Sequence, residues 1–181
     1  LAALEKMPVI WLTSHSDRAT GDKVLAGNEA AGECAAEYLL KAGHTNLCFW
    51  NPQPDSAVFQ HRRTGFFRAA QQAGAQVQLL SIDSDDDTDL NYLSPDRMGR
   101  LMQPMVEQYA AMKRRPSGLF VPSDTITAAL YPLLLQKGIQ PGRDLTVVSC
   151  GNEQAYLAGL DPRPASIDLG MKTIGQHAVE Q

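Results

Sequence analysis

The sequence feature that most constrains the fold is a segment in which two short apolar runs are separated by a helical run. It reads PSGLFVPSDTITAALYPLLLQKGIQPGRDLTVVSCGN and occupies positions 116–152. The first apolar run ends near Ser123 and Asp124, and the second ends at Gly151 and Asn152. Strands joined through a helix are typically parallel, and parallel sheets bind ligands at the carboxyl ends of their strands. The segment therefore predicts both an α/β fold and a binding edge at these four residues.

Short apolar runs alternate with helical runs along most of the chain. Because these runs are apolar at successive positions, both faces of each strand are expected to be buried under helices. The pattern predicts the α/β class, with a doubly wound parallel sheet and right-handed crossovers. The predicted strands are Pro8–Leu12, Asn46–Trp50, Val77–Ile82, Gly118–Val121 and Leu145–Cys150.

Capping residues and glycines mark the predicted helix ends. Asn28 is the expected N-cap of the first helix and Gly43 its stop, and Ser94 is the expected N-cap of a later helix. Another helix begins at Ser123, and either Ser123 or Asp124 is expected to cap it. A final helix is expected at the C-terminal end. The predicted buried face of the first helix is Ala31, Cys34, Ala35, Tyr38 and Leu39.

Charge, hydropathy and cysteine content exclude several classes of function. The formal net charge is −4, so this chain alone is not expected to bind DNA or an anionic membrane surface. No apolar run reaches the roughly 18 residues of a membrane span, and the first residues do not have the pattern of a signal peptide. Cys34, Cys48 and Cys150 lie far apart in apolar runs, which favours buried free thiols in a reducing compartment.

Motifs for catalysis and for nucleotide or metal binding are absent from the sequence. It contains no GxGxxG, GxxxxGK[ST] or GxSxG motif, so no cofactor and no catalytic residue is predicted. The acidic segment Asp83–Asp89 lacks the glycine and the final carboxylate of a calcium loop, so it predicts a solvated loop and no metal. His44 follows a helix stop and is interpreted as a cation at a helix C-terminus.

Polar and aromatic side chains near the predicted strand ends are the candidates for ligand binding. Arg62 lies early in the helix after the Trp50 strand, where a guanidinium could offer a fork of donors to hydroxyls or to a carboxylate. The alternative is a surface arginine. Phe59 and Trp50 could stack on a ligand or belong to the core.

Longer matches extend over nearly the whole chain. The segments PVIWLTSHSD, AGNEAAGECAAEYLLKAGHTNLCFW, RRTGFFRAAQQAG, the opening segment 116–152 and DPRPASIDLGMKTIGQHAVEQ follow the order and spacing of one family. Together they resemble the effector-binding domain of the lactose/galactose-repressor (LacI/GalR) family of bacterial transcription regulators. That family shares its fold with periplasmic sugar-binding proteins. The resemblance implies a periplasmic-binding-protein-like fold of type I, with one complete lobe and part of a second.

The resemblance also implies how the chain divides. Residues 1–25 would be the end of an N-terminal lobe, residues 26–165 the C-terminal lobe, and residues 166–181 a crossing segment and a helix that returns to the first lobe. Most of the N-terminal lobe and a DNA-binding headpiece would lie outside this chain. The protein would be a cytoplasmic homodimer that binds operator DNA through that headpiece and has no membrane partner.

The binding site that the resemblance implies departs from the family pattern. Arg62 matches the arginine that grips the effector, and Asp124 matches a family acid. Ser123 stands in place of an asparagine, Gly151 in place of an aspartate that binds hydroxyls, and Thr13 in place of another acid. The loss of carboxylates leaves a sugar, a sugar-like molecule or an anion open as the effector. The predicted ligand-binding residues are Arg62, Ser123, Asp124, Asn152, Thr13 and Phe59.

Three functions follow in order of preference. The leading hypothesis is the effector-sensing domain of a DNA-binding transcription regulator, in which a small molecule between two lobes controls operator binding. The second is a periplasmic solute-binding protein of a sugar transporter, which shares the lobes. The third, an enzyme of the doubly wound class, would need a cofactor motif or nucleophile that the sequence does not show.

Overall fold

The computed structural model describes residues 9–12, 21–82 and 93–180 and has an α/β architecture. Its strands are β1 (Ile10–Trp11), β2 (Asp22–Lys23), β3 (Asn46–Asn51), β4 (Gln76–Ser81), β5 (Gly118–Phe120), β6 (Thr146–Cys150) and β7 (Ala165–Ile167). Its helices are α1 (Asn28–Lys41), α2 (Ala57–Gln72), α3 (Pro95–Ala111), α4 (Asp124–Gln136), α5 (Gln154–Leu157) and α6 (Met171–Glu180).

Five strands form one parallel sheet in the order β4-β3-β5-β6-β7, while β1 and β2 pair in parallel as a separate two-stranded sheet. The five predicted strands are confirmed within the described residues, and Pro8 of the first one lies outside them. β2 and β7 were not predicted. β2 is two exposed charged residues and β7 is three half-buried ones, so neither is long or apolar enough to show a strand pattern.

Helices cover both faces of the five-stranded sheet, as the doubly wound prediction requires. One face packs β3, β5 and β6 against α1 and α2, through side chains that include Leu47, Phe49 and Phe120. The other face packs Trp50 and Leu119 against α3 and α4. Successive strand residues point to opposite faces, and this explains why each buried strand is apolar throughout.

Helices α1 and α2 pack so closely that their backbones are in contact at two glycines. A Cβ atom added to Gly65 would overlap the carbonyl oxygen of Glu29, and one added to Gly32 would overlap the carbonyl oxygen of Arg62. Because both glycines lack a Cβ, the first turns of α1 can lie directly beside the start of α2. This close crossing brings Asn28 and Arg62 together.

Gly65→Ala is expected to destabilise the protein by about 2 kcal/mol, because the added methyl group would force the two helices apart. Gly99→Ala is a matched control, since Gly99 is also helical but its Cβ would meet nothing within 4 Å. There the change is expected to stabilise the helix by about 1 kcal/mol. Urea unfolding of both variants measures the difference. Equal effects of the two substitutions would contradict the close helix crossing.

Two predictions for α1, its N-cap residue and part of its buried face, were wrong. Gly27, not Asn28, holds the N-cap position, and Asn28 is the first helical residue. The asparagine side chain is turned away from the helix end because its Oδ1 accepts a hydrogen bond from Arg62. Cys34 and Tyr38 were predicted to be buried but are exposed. The buried face consists of Ala31, Gly32, Ala35, Ala36 and Leu39.

Two of the three predicted buried thiols are confirmed, and one prediction was wrong. Cys48 and Cys150 are buried free cysteines, and burial raises the pKa of the Cys150 thiol to about 11. Cys34 lies on the solvent face of α1, about one helical step of 100° away from the row that packs on α2. Small apolar neighbours in the sequence do not determine on which face of the helix Cys34 lies.

The N-terminal boundary of α3 is confirmed. The Ser94 hydroxyl accepts a hydrogen bond from the Arg97 backbone nitrogen at 3.4 Å, and Pro95 is the first helical residue. The methionine-rich stripe of this helix lies in the core, where Met98, Met102 and Met105 are buried.

His44 connects the amino ends of two central strands. Its Nδ1 and Nε2 lie 2.8 Å from the hydroxyl oxygens of Ser117 and Thr146, respectively, so the ring spans the starts of β5 and β6. Burial lowers the pKa of His44. The prediction of a helix C-terminal cation was therefore wrong. The partners are 73 and 102 positions away in sequence, and no local pattern shows them.

His44→Gln is expected to lower stability by about 1 kcal/mol at pH 7.5, through loss of one or both hydroxyl contacts. Since the folded-state pKa of His44 lies below its unfolded value, the unfolded chain binds more protons near pH 6. Wild-type stability should therefore fall as pH drops through about 6.5, and this part of the pH dependence should be missing in His44→Gln. Urea titrations between pH 7.5 and 5.5 test it, with exposed His61→Gln as control. Parallel pH profiles for wild type and His44→Gln would contradict the account.

Two sequence predictions fall outside the described residues, namely the ligand contact at Thr13 and the solvated loop at Asp83–Asp89. Within residues 9–12, 21–82 and 93–180, no helix is long and apolar enough to cross a membrane. The same part of the chain contains no cluster of three or more histidine, cysteine or acidic side chains placed to hold a metal ion.

Candidate functional site

A cavity of about 210 Å³ opens at the carboxyl edge of the sheet, where the sequence predicted a binding edge. It lies between the ends of the central strands, the first turns of α1 and α2, and the segment that leads into α6. Its lining residues are Leu12, Leu25, Ala26, Asn28, Gln53, Ser56, Val58, Phe59, Arg62, Ser123, Cys150, Gly151, Glu153, Leu169 and Met171.

Arg62 is the buried cation of this cavity, with 6% of its surface exposed. Its Nε donates to Asn28 Oδ1 at 3.0 Å, and its Nη1 donates to the carbonyl oxygen of Pro122. Both acceptors are neutral, and Arg62 forms no ion pair within the described residues. Burial lowers the pKa of Arg62, while the nearby Cys150 and Asp124 partly oppose that effect. The guanidinium is thus fixed at the cavity wall without a bound carboxylate.

The Asp124 carboxylate is turned into the protein and joins three segments. Its Oδ1 accepts hydrogen bonds from the hydroxyls of Ser149 and Ser166, the latter at 2.8 Å, and its Oδ2 accepts one from the Glu153 backbone nitrogen at 2.6 Å. Asp124 is 1% exposed and is not among the residues that line the cavity. The carboxylate therefore ties β6, β7 and the loop after β6 to the start of α4.

The prediction that Ser123 or Asp124 caps α4 through its side chain was wrong. Ser123 occupies the N-cap position but its hydroxyl makes no capping hydrogen bond, and it lines the cavity instead. Asp124 is the first helical residue, and its side chain is directed to β6 and β7. Nearby serine hydroxyls on other strands compete successfully for the carboxylate that a local pattern assigns to the helix end.

Asn152 lies beside the cavity but is turned to the segment that follows β7. Its backbone nitrogen donates to Ser166 Oγ at 3.0 Å, and its Nδ2 donates to Asp168 Oδ2 at 3.1 Å. Asp168 in turn accepts from the Gly170 nitrogen at 2.8 Å, and this contact and Asn152 both lower the pKa of Asp168. Asn152 is exposed and is not a lining residue.

Gly151 lines the cavity at a position where a larger residue would be strained. Its φ is +134°, and an added Cβ would lie 3.0 Å from Asp124 Oδ2. An aspartate here would place a second carboxylate beside the Asp124 carboxylate, and the two like charges would repel. A glycine at position 151 therefore leaves room for the Asp124 carboxylate to form its hydrogen bonds inside the protein.

The two aromatic candidates for ligand binding, Phe59 and Trp50, lie in different environments. Phe59 is 7% exposed, lines the cavity and also packs in the core on the α3 and α4 side. Trp50 is fully buried and packs edge-on against Tyr109, with ring centroids 6.4 Å apart, so it belongs to the core. The structure thus brings Arg62, Ser123 and Phe59 together at one cavity and directs Asp124 and Asn152 away from it.

Several lining residues were not predicted. Asn28 was interpreted only as a helix cap, and its contact with Arg62 spans 34 positions. Leu12, Leu25 and Met171 come from segments before α1 and after β7, which a local pattern cannot place near Arg62. No motif in the sequence marks these three residues.

The fold and this cavity define a ligand-binding lobe of the periplasmic-binding-protein type. A family model described as "Periplasmic binding protein-like domain" matches residues 36–181, and the chain belongs to that family. Among curated proteins, it is 26% identical to the "HTH-type transcriptional repressor PurR" of Vibrio cholerae serotype O1 (strain M66-2), over 99% of this chain and 50% of the relative. The repressor of the same name from Aliivibrio salmonicida is also 26% identical, over 99% of this chain and 52% of the relative.

Solved structures show the same fold. A LacI family transcriptional regulator from Mycobacterium smegmatis superposes with a TM-score of 0.77 at 18% identity, over 99% of this chain and 62% of that one. A regulatory protein of the LacI family from Chloroflexus aggregans gives a TM-score of 0.77 at 19% identity, over 98% and 60%. The predicted fold class and the predicted resemblance to the LacI/GalR effector-binding domain are confirmed. The chain spans about half the length of the curated relatives that it matches.

Proposed function

We propose that the chain is the effector-sensing part of a bacterial DNA-binding transcription regulator. The observation that carries this proposal is the buried Arg62, which is fixed by Asn28 and Pro122 at the wall of a cavity on the ligand-binding edge of the sheet. The curated relatives are named as repressors, which favours a regulator over a transport protein. No step of the proposed function makes or breaks a covalent bond, and the protein works in the cytoplasm.

The proposed mechanism is a hinge between two lobes. Residues 1–25 and 166–181 would belong to the N-terminal lobe and its crossing segment, and residues 26–165 would form the C-terminal lobe. Leu12 and Met171 from the former parts line the same cavity as Arg62 from the latter. A ligand that contacts both sides binds more tightly when they are close together, and this difference in affinity shifts the equilibrium between conformations.

The proposed partners are a small-molecule effector, a second copy of the protein and operator DNA. A headpiece outside this chain would contact DNA, because the chain itself carries a net charge of −4. A dimer would place two such headpieces on paired half-sites, and lobe closure would change their spacing. The effector class includes sugars, sugar-like molecules and anions.

Selection of genomic DNA fragments with the complete product of the gene tests this proposal. A regulator is expected to enrich one or a few sites with two-fold sequence symmetry, at affinities at least about 1,000-fold above those for random fragments. Competition with unrelated DNA at physiological salt provides the control. Failure to enrich any site, together with export of the protein from the cytoplasm, would contradict the regulator and support a solute-binding protein.

A further inference from the structure

We infer that the effector is a small amphiphilic anion, with one carboxylate or similar group and an apolar body, rather than a neutral polyol. This inference rests on the proposed function, because it concerns the ligand of the same cavity. Three observations carry it: a buried cation that forms no ion pair within the described residues, the internal use of the Asp124 carboxylate, and the apolar side chains that line the cavity.

The first observation is the charge of Arg62. A buried cation is stabilised when an anion lies beside it, yet the two groups that Arg62 contacts are an amide oxygen and a carbonyl oxygen. Those contacts use Nε and Nη1, and Nη2 has no hydrogen-bond partner in the described part of the chain. A ligand carboxylate could accept hydrogen bonds from the remaining guanidinium donors and compensate the charge.

The second observation is that the buried carboxylate at this edge of the sheet does not face the cavity. Sugar hydroxyls in this edge of the sheet would be expected to donate to carboxylates, but both oxygens of Asp124 already accept hydrogen bonds within the protein. Gly151 has no side chain, and a Cβ there would lie 3.0 Å from the Asp124 carboxylate. Glu153 is the one acidic residue among the described lining residues, and it is exposed to solvent.

The third observation is the apolar wall of the cavity. Leu12, Leu25 and Met171 line it. Val58, Phe59 and Leu169 are further apolar lining residues. An apolar ligand body would remove these side chains from water, whereas a polyol would lose hydration without gaining hydrogen-bond partners there. One charged end at Arg62 and one apolar end at the leucines therefore fit the site.

Calorimetry on the complete product of the gene tests the inference with matched compounds. The panel is benzoate, phenylacetate and hexanoate, each with its primary amide and its alcohol, together with galactose and galacturonate. At least one apolar carboxylate is expected to bind at least 10-fold more tightly than its own amide and alcohol, and more tightly than either sugar. Arg62→Gln is expected to remove that preference, while Arg63→Gln, at the neighbouring position outside the cavity, leaves it unchanged.

The outcomes separate this inference from the proposed function. A neutral sugar or an amide as the tightest ligand, or no binding by any carboxylate at millimolar concentration, would overturn the anionic class. A preference for carboxylates that persists in Arg62→Gln would overturn the assignment to Arg62. Selective DNA binding is measured independently. Selective DNA binding with a neutral effector would overturn only the anionic class, whereas carboxylate binding without selective DNA binding would overturn only the proposed function.

Discussion

Replacing Arg62 with alanine is expected to weaken effector binding at least 100-fold. The guanidinium is the one positively charged group among the described lining residues of the cavity, and Asn28 and Pro122 hold it in place. The substitution removes a charged, preorganised set of hydrogen-bond donors, whose loss typically costs about 3 kcal/mol when the partner is charged. Isothermal titration with the tightest carboxylate from the matched panel measures the effect.

Folding should be affected much less than binding. Removal of a buried charge that forms no ion pair within the described residues stabilises the protein, while the loss of two hydrogen bonds to neutral acceptors destabilises it. We expect a net change of about 1 kcal/mol in the free energy of unfolding. Arg63→Ala is the matched control and should change neither quantity. Unchanged affinity in Arg62→Ala would show that the ligand does not contact this group.

Asp124→Ala is expected to destabilise the protein by about 3 kcal/mol or more. The carboxylate accepts hydrogen bonds from Ser149, Ser166 and the Glu153 backbone, and all three donors would lose this acceptor, with the Ser149 contact fully buried and the other two partly buried. The substitution would also release β7 and the loop after β6 from the start of α4. Chemical denaturation measures the stability, and hydrogen exchange should show faster opening of residues 149–153 and 165–168.

Ser123→Ala is the matched control for Asp124→Ala. Ser123 is adjacent to Asp124 but its side chain makes no capping hydrogen bond, so the free energy of unfolding should change by less than about 0.5 kcal/mol. Asp124→Asn keeps the size of the side chain but presents an amide group to at least one of three donors, so an intermediate loss is expected. If Asp124→Ala costs no more than Ser123→Ala, the carboxylate does not join the three segments.

The fold could be predicted from the sequence because its main signals are local. Continuous apolar runs such as Asn46–Trp50 and Leu145–Cys150 predict buried parallel strands, and the structure has β3 and β6 at these places. Ser94 predicts the start of α3 because its hydroxyl bonds a nitrogen three residues away. β2 and β7 escaped prediction because two or three residues carry no periodic pattern.

The candidate site could be predicted only in part, because its details depend on long-range contacts. The position of Arg62 near the strand ends follows from its place in α2, but its partners Asn28 and Pro122 lie 34 and 60 positions away. Asp124 was predicted to contact the ligand or to cap a helix. Its carboxylate instead contacts residues 25 to 42 positions further along the chain. Competition among distant hydrogen-bond donors decided its orientation.

The most direct test of the proposed function is the effect of the ligand on DNA affinity. The complete product of the gene would be titrated with its selected DNA site, with and without the tightest-binding carboxylate at saturation. We expect the ligand to change the affinity for DNA at least 10-fold in the wild type and not at all in Arg62→Ala. Equal affinity with and without saturating ligand in the wild type would contradict an effector-sensing role for this chain.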